Sequence, residues 1–126
     1  MKIYLAIPYT GNESSSFIKA NRIAAKLMNE GHIVFSPISH SHSIDSQCDL
    51  DKKWKLQNDW EKWEFWKKQD ESFIEWCDEL YVVMLNGWKE SVGVNAEMEI
   101  AKRLGKPIKY IEYKTEPING KTNIQT

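Results

Sequence analysis

The sequence predicts an α/β domain built on a parallel sheet with helices on both faces. Two observations lead there. Near-continuous apolar runs rich in strand formers recur at 2–7, 32–36 and 80–85, with a fourth at 106–113. Segments with apolar residues at three- and four-residue spacing fall between them. Such strands, alternating with helices, belong to a sheet covered on both sides.

The first strand, "KIYLAI", is ended by Pro8. A polar loop with several helix-capping residues covers 10–16. The helix predicted over 15–30 places Phe17, Ala20, Ile23, Ala24, Leu27 and Met28 on one face, and Gly31 stops it. "HIVFS" (32–36) is the second strand, stopped by Pro37, and 38–49 reads as a polar loop. The Trp-rich segment 51–69 reads as a helix with Leu56, Trp60, Trp63 and Trp66 on one face, and a shorter helix over 70–77 follows or continues it. "LYVVML" (80–85) is the third strand. A helix over 91–104, ending on Gly105, leads to a fourth strand at 106–113. The expectation is a single domain, 1–113, with a polar tail, 114–126. Its fold class is doubly wound, Rossmann-like or flavodoxin-like, with about four parallel strands. Ligands of such sheets bind at the carboxyl ends of the strands near the switch point, which gathers the loops after Ile7, Ser36 and Leu85.

Composition narrows the partners. The chain has 126 residues, 28% of them charged, and a net charge of −1, so no general attraction to nucleic acid polymers or anionic membranes is expected. No apolar run approaches a membrane span, and the N-terminus does not read as a signal peptide. Cys48 and Cys77 lack CxxC spacing and read as reduced thiols of a cytoplasmic protein.

Within "SVGVNAEMEIAKRLGKP" (91–107), Glu97 lies three residues after Val94 and four before Ala101, on the stripe that should face inward. It is either an edge carboxylate reaching solvent or a site carboxylate held in the strand-3 crevice. Ser91 and Gly93 open the helix, either as an ordinary cap and turn or as an anion site using free N–H groups and the positive helix end. Asp70 and Asp78 can each cap a local element. His40 and His42 follow the second strand, but Cys48 and Asp49 add no recognised ligand spacing, so no metal is expected. The helical spacing of the tryptophans favours burial, internal or between subunits, and the interleaved Asp59, Glu61 and Glu64 argue against a single-strand nucleic-acid surface.

These segments in this order resemble the nucleoside 2-deoxyribosyltransferase-like superfamily, which includes nucleoside 5′-monophosphate N-glycosidases. The resemblance rests on "IYLAIPYTG", "GHIVFSPISHSH", "QD" ahead of "CDELYVVML", and "SVGVNAEMEIAKRLGKP", and covers about residues 2–111. The pattern "GW.ES.GV..E" also resembles a compact DUF1937-like branch.

The resemblance implies Glu97 as the nucleophile at the anomeric carbon, Asp70 as the acid serving the leaving base, and Tyr4 as the hydroxyl orienting the glutamate. Ser91 and Gly93 take the place of a phosphate-binding turn, and His40 that of a histidine found after the second strand in some members. Ile7 and Tyr9 stand where relatives carry a Gly-rich turn, and they join Trp88 as substrate-contacting candidates. The implied function is a hydrolase cleaving the N-glycosidic bond of a (deoxy)nucleoside 5′-monophosphate. The alternatives are a nucleoside 2-deoxyribosyltransferase exchanging bases, and a non-catalytic nucleotide-binding module. The partners expected are a small nucleoside or nucleotide and further copies of the chain in a homo-oligomer, with no cofactor.

Overall fold

The computed structural model describes residues 1–48, 59–115 and 122–125. Among these, the elements in chain order are β1 (Lys2–Ala6), α1 (Glu13–Asn29), β2 (Ile33–Phe35), α2 (Pro37–Cys48), α3 (Asp59–Trp76), β3 (Glu79–Val83), α4 (Val92–Arg103), β4 (Ile108–Thr115) and β5 (Thr122–Gln125). The sheet order is β2-β1-β3-β4-β5. The first four strands are parallel and β5 is antiparallel to β4. The chain runs from β1 outward to β2, then crosses back to β3 on the other side of β1. The switch point therefore lies between β1 and β3.

Strand alternation sorts the core into two layers. Ile3, Leu5 and Ile7 pack with Ala20, Ile23, Ala24 and Leu27 of α1. Tyr4 and Ala6 point the other way, toward Ile74 of α3 and Val94, Ile100 and Ala101 of α4. This alternation brings Tyr4 to the layer that contains α4. Helix α1 ends as the sequence indicates, with Gly31 at φ +98°, a conformation that costs glycine little.

Two elements differ from the sequence reading. The polar stretch after β2 is a helix, α2. Its apolar residues are too sparse for a periodic stripe, but its start carries a local signal: the Ser36 hydroxyl accepts from the Ser39 N–H at 3.4 Å, and Pro37 occupies the first helical position. The helices read over 51–69 and 70–77 are continuous through α3 from Asp59 onward, one of the two forms the sequence allows, and 51–58, with Trp54 and Leu56, lie outside the described residues. Residues 122–125 of the polar tail pair with β4, with Tyr113 opposite Ile124. Backbone pairing with β4 extends the sheet there, and the hydropathy of this stretch carries no trace of it. Smaller shifts occur on the helix faces: Ile100 is buried in α4 while Leu104 is exposed, and Met28 is exposed on α1. No helix among the described residues is long and apolar enough to cross a membrane.

Ile74 is fully buried between α3 and the sheet, one helical turn after Asp70. Ile74→Ala should cost about 2–5 kcal/mol of stability, the range for emptying a buried aliphatic site. Urea unfolding monitored by circular dichroism checks this, with an unchanged m-value expected.

Candidate active site

A cavity of about 400 Å³ opens at the β1/β3 switch point, within the size range of small-ligand sites. Its walls come from three places. Ile7, Tyr9 and Thr10 follow β1, α2 contributes Pro37, Ser41 and His42, and the start of α4 contributes Ser91, Val92 and Gly93. Asp70 of α3 and Glu97 of α4 complete it.

Glu97 is 5% exposed and Asp70 7%, while Tyr4 is fully buried beneath them. The Tyr4 hydroxyl donates a hydrogen bond to Glu97 Oε2. Helix phase explains the meeting. Glu97 shares the inward face of α4 with Val94, Ile100 and Ala101, and that face lies on the side of the sheet to which Tyr4 points. Ser91 fixes the start of the helix, its Oγ accepting from the Val94 N–H at 3.3 Å. The Asp70 side chain makes no hydrogen bond to another described residue, although it is nearly as buried as Glu97.

Electrostatics follow from that burial. Desolvation raises the Asp70 carboxyl to about 7. Desolvation first, then the neighbouring Asp70, push Glu97 well above the ordinary carboxylate value, and the Tyr4 hydrogen bond opposes them. Tyr4 is itself held well above its usual value, first by burial and then by the charges of Glu97 and Asp70, so it remains the donor. Two carboxyls in one dry space resist ionising together. Both carboxyls are thereby held toward the protonated form, and the hydrogen bond from Tyr4 opposes this at Glu97.

Of the sequence candidates, Tyr4, Asp70 and Glu97 come together, and Ile7, Tyr9, Ser91 and Gly93 line the same cavity as the two carboxyls. His40 and Trp88 do not line it. Two steps of 100° along α2 separate His40 from His42, so the two cannot share a face. His42 takes the cavity side, and His40 is exposed, its ring 5.5 Å from Phe35. Trp88 packs with Tyr110 of β4, ring centroids 5.5 Å apart, as the 86–90 turn leads away from the cavity. Trp66 was read only as part of an apolar face. It lines the cavity, with its Nε1–H donating to Asp45 Oδ1 at 3.3 Å. The side chains of Trp60, Trp63 and Cys48 lie outside the described residues, and Cys77 is a buried free thiol. Among the described residues, no three His, Cys, Asp or Glu side chains are grouped to hold a metal ion.

Comparison with known proteins bears on the family and the fold. The chain belongs to the family described as a domain of unknown function, DUF1937, whose model matches residues 1–113. Its structure is similar to that of a 2-deoxyribosyltransferase from the psychrotolerant bacterium Bacillus psychrosaccharolyticus, with 25% sequence identity and a TM-score of 0.61 over 94% of this chain and 77% of that one. It shares the fold of a 2-desoxiribosyltransferase from Leishmania mexicana, with 15% identity and a TM-score of 0.57 over 99% and 78% of the two chains. The fold is thus of the nucleoside 2-deoxyribosyltransferase-like type. A search of curated proteins gave no match.

The raised carboxyls carry a stability consequence. A carboxyl raised in the folded state stabilises fully below its unfolded value, ~4, and that contribution is lost as pH rises through the folded value. For Asp70 the loss spans the interval up to about 7. Asp70→Asn should therefore melt several degrees higher than wild type at pH 8, and the gap should close toward pH 4. Thermal melts across pH check this.

Proposed function

We propose that this protein is an enzyme that breaks the N-glycosidic bond of a 2′-deoxyribonucleoside and transfers the sugar to a second base. The buried Tyr4–Glu97–Asp70 cluster in the wall of the switch-point cavity carries the reading. The likeness to a 2-deoxyribosyltransferase at 25% identity supports transfer over the hydrolysis that the sequence reading put first.

In this mechanism the Glu97 carboxylate attacks the anomeric carbon as the C–N bond breaks. The bonding electron pair leaves with the base nitrogen, and Asp70 supplies the proton. The product is a sugar ester of Glu97 and a free base. An incoming base then attacks the same carbon through its nitrogen, expels Glu97 as carboxylate, and returns a proton to Asp70. Tyr4 holds the glutamate oxygen throughout. The transition states resemble an oxocarbenium ion, which a carboxylate on one face stabilises.

Hydrolysis of a nucleoside 5′-monophosphate is the second reading. It is favoured by the first turn of α4, where Ser91, Val92 and Gly93 line the cavity at a positive helix end suited to a phosphate. Water would then take the place of the second base. Association of copies around the site is supported by the exposed apolar Val92 in the cavity wall.

Incubation with pairs of 2′-deoxyribonucleosides and free bases, followed by chromatography, should show new nucleosides. Glu97→Ala and Glu97→Gln should slow the exchange at least about a hundredfold. Wild-type kcat/KM should fall as pH rises through about 7, where Asp70 loses its proton. Asp70→Asn should lose about 10²–10⁴-fold, the contribution of a general acid, and lose that alkaline limb as well. Release of base from a monophosphate without an acceptor would favour the second reading, and undiminished turnover in the Glu97 variants would contradict both.

A further inference from the structure

The proposed sugar transfer leaves one wall of the cavity without a role. His42, in that wall, is held in place by two aromatic residues. Its Nδ1 lies 2.7 Å from the Tyr9 hydroxyl. Its ring stacks on Phe17, with centroids 4.3 Å apart and planes inclined by 21°. The Tyr9 ring meets it edge-on, at 5.8 Å and 88°. Phe17 belongs to α1, Tyr9 to the segment after β1 and His42 to α2, so three parts of the chain converge to set one imidazole.

The tautomer follows from the chemistry of the pair. A phenol, with a pKa of ~10, is the better donor, and an unprotonated imidazole nitrogen is the better acceptor. With the Tyr9 O–H as the donor to Nδ1, the imidazole carries its proton on Nε2. That nitrogen has no hydrogen-bond partner among the described residues. A donor of fixed orientation thus belongs to the wall of a ligand cavity, in the arrangement by which binding sites read hydrogen-bond patterns.

We propose that His42, oriented by Tyr9 and Phe17, selects the base: its Nε2–H donates to a carbonyl oxygen on the base edge remote from the sugar. The substrates it favours are 2′-deoxyribonucleosides of 4-oxopyrimidines and 6-oxopurines, over those carrying an amino group at the same position. The inference rests on the proposed reaction for placing the base in this cavity. An amino group would set donor against donor and leave the imidazole N–H unmatched, a mismatch of about 10- to 100-fold in affinity.

Binding separates this inference from catalysis. Glu97→Gln, which cannot form the sugar ester, is titrated calorimetrically with 2′-deoxyuridine and 2′-deoxycytidine, then with 2′-deoxyinosine and 2′-deoxyadenosine. The oxo member of each pair should bind about 10- to 100-fold more tightly. Adding His42→Phe, which keeps an aromatic ring against Phe17, should bring the ratio within about threefold of one, and His42→Gln, which restores an N–H donor, should recover part of it. Tyr9→Phe leaves the tautomer unset and should lower the ratio without abolishing it, and it carries the test if the His42 variants do not fold by circular dichroism. Equal binding of oxo and amino nucleosides, no binding of either, or a ratio unmoved by these substitutions overturns the inference. A His42-dependent preference in a wild-type protein that exchanges no bases would overturn the reaction and sustain the preference. Base exchange without the preference would do the reverse.

Discussion

The hydrogen bond from Tyr4 to Glu97 joins β1 to α4, 93 residues apart in the chain, and the site depends on it. Two independent periodicities must agree for it to form. The strand must turn Tyr4 toward α4, and the helix must turn Glu97 toward the sheet. A one-residue slip of β1 against its neighbours would send Tyr4 into the α1 layer and bring Ile3 or Leu5 beneath the glutamate. The parallel register of β1 against β3, with Tyr4 beside Leu80, is therefore part of the site as well as of the fold.

The same bond governs the electrostatics. Burial alone would neutralise both carboxyls, and among the described residues the Tyr4 hydroxyl is the contact that favours an anion on Glu97. Asp70 has no such donor and rises through desolvation. Environment thus sets two chemically similar groups apart, one with a hydrogen-bond donor and one without, and the proposed cleavage of a glycosidic bond draws on that difference. The arrangement works against stability near neutral pH, because a dry carboxyl pair is easiest to hold when protonated. Fully buried Ile74 and Val94, each within a turn of one carboxyl, help hold the pair in place.

Where apolar periodicity is strong, the sequence is informative. The four parallel strands, α1 and α4 follow from runs and stripes of buried side chains, and the inward phase of Glu97 follows from its spacing to Val94 and Ala101. Helix α2 is hidden because its serines and histidines bury too little to leave a stripe, although Ser36 and Pro37 mark its start. Missing that helix also obscures the choice between histidines. On a loop either could reach the crevice, whereas a helix admits His42 and turns His40 outward. Trp66 likewise reads as one more apolar residue, since its indole N–H bond to Asp45 joins two helices and leaves no local pattern. Strand β5 depends on pairing with β4, a non-local interaction that the hydropathy of residues 122–125 does not encode.

The central claim is that Glu97 and Asp70 form a dry pair that keeps a proton where ordinary carboxyls have lost theirs. Carbon-13 NMR of side-chain carboxyls, assigned with Asp70→Asn and Glu97→Gln, measures this directly. The account predicts that the Asp70 carboxyl carbon titrates with a midpoint of about 7 and that the Glu97 signal also responds far above the ordinary range. Completion of both titrations by pH ~5, as for solvated carboxyls, would contradict it.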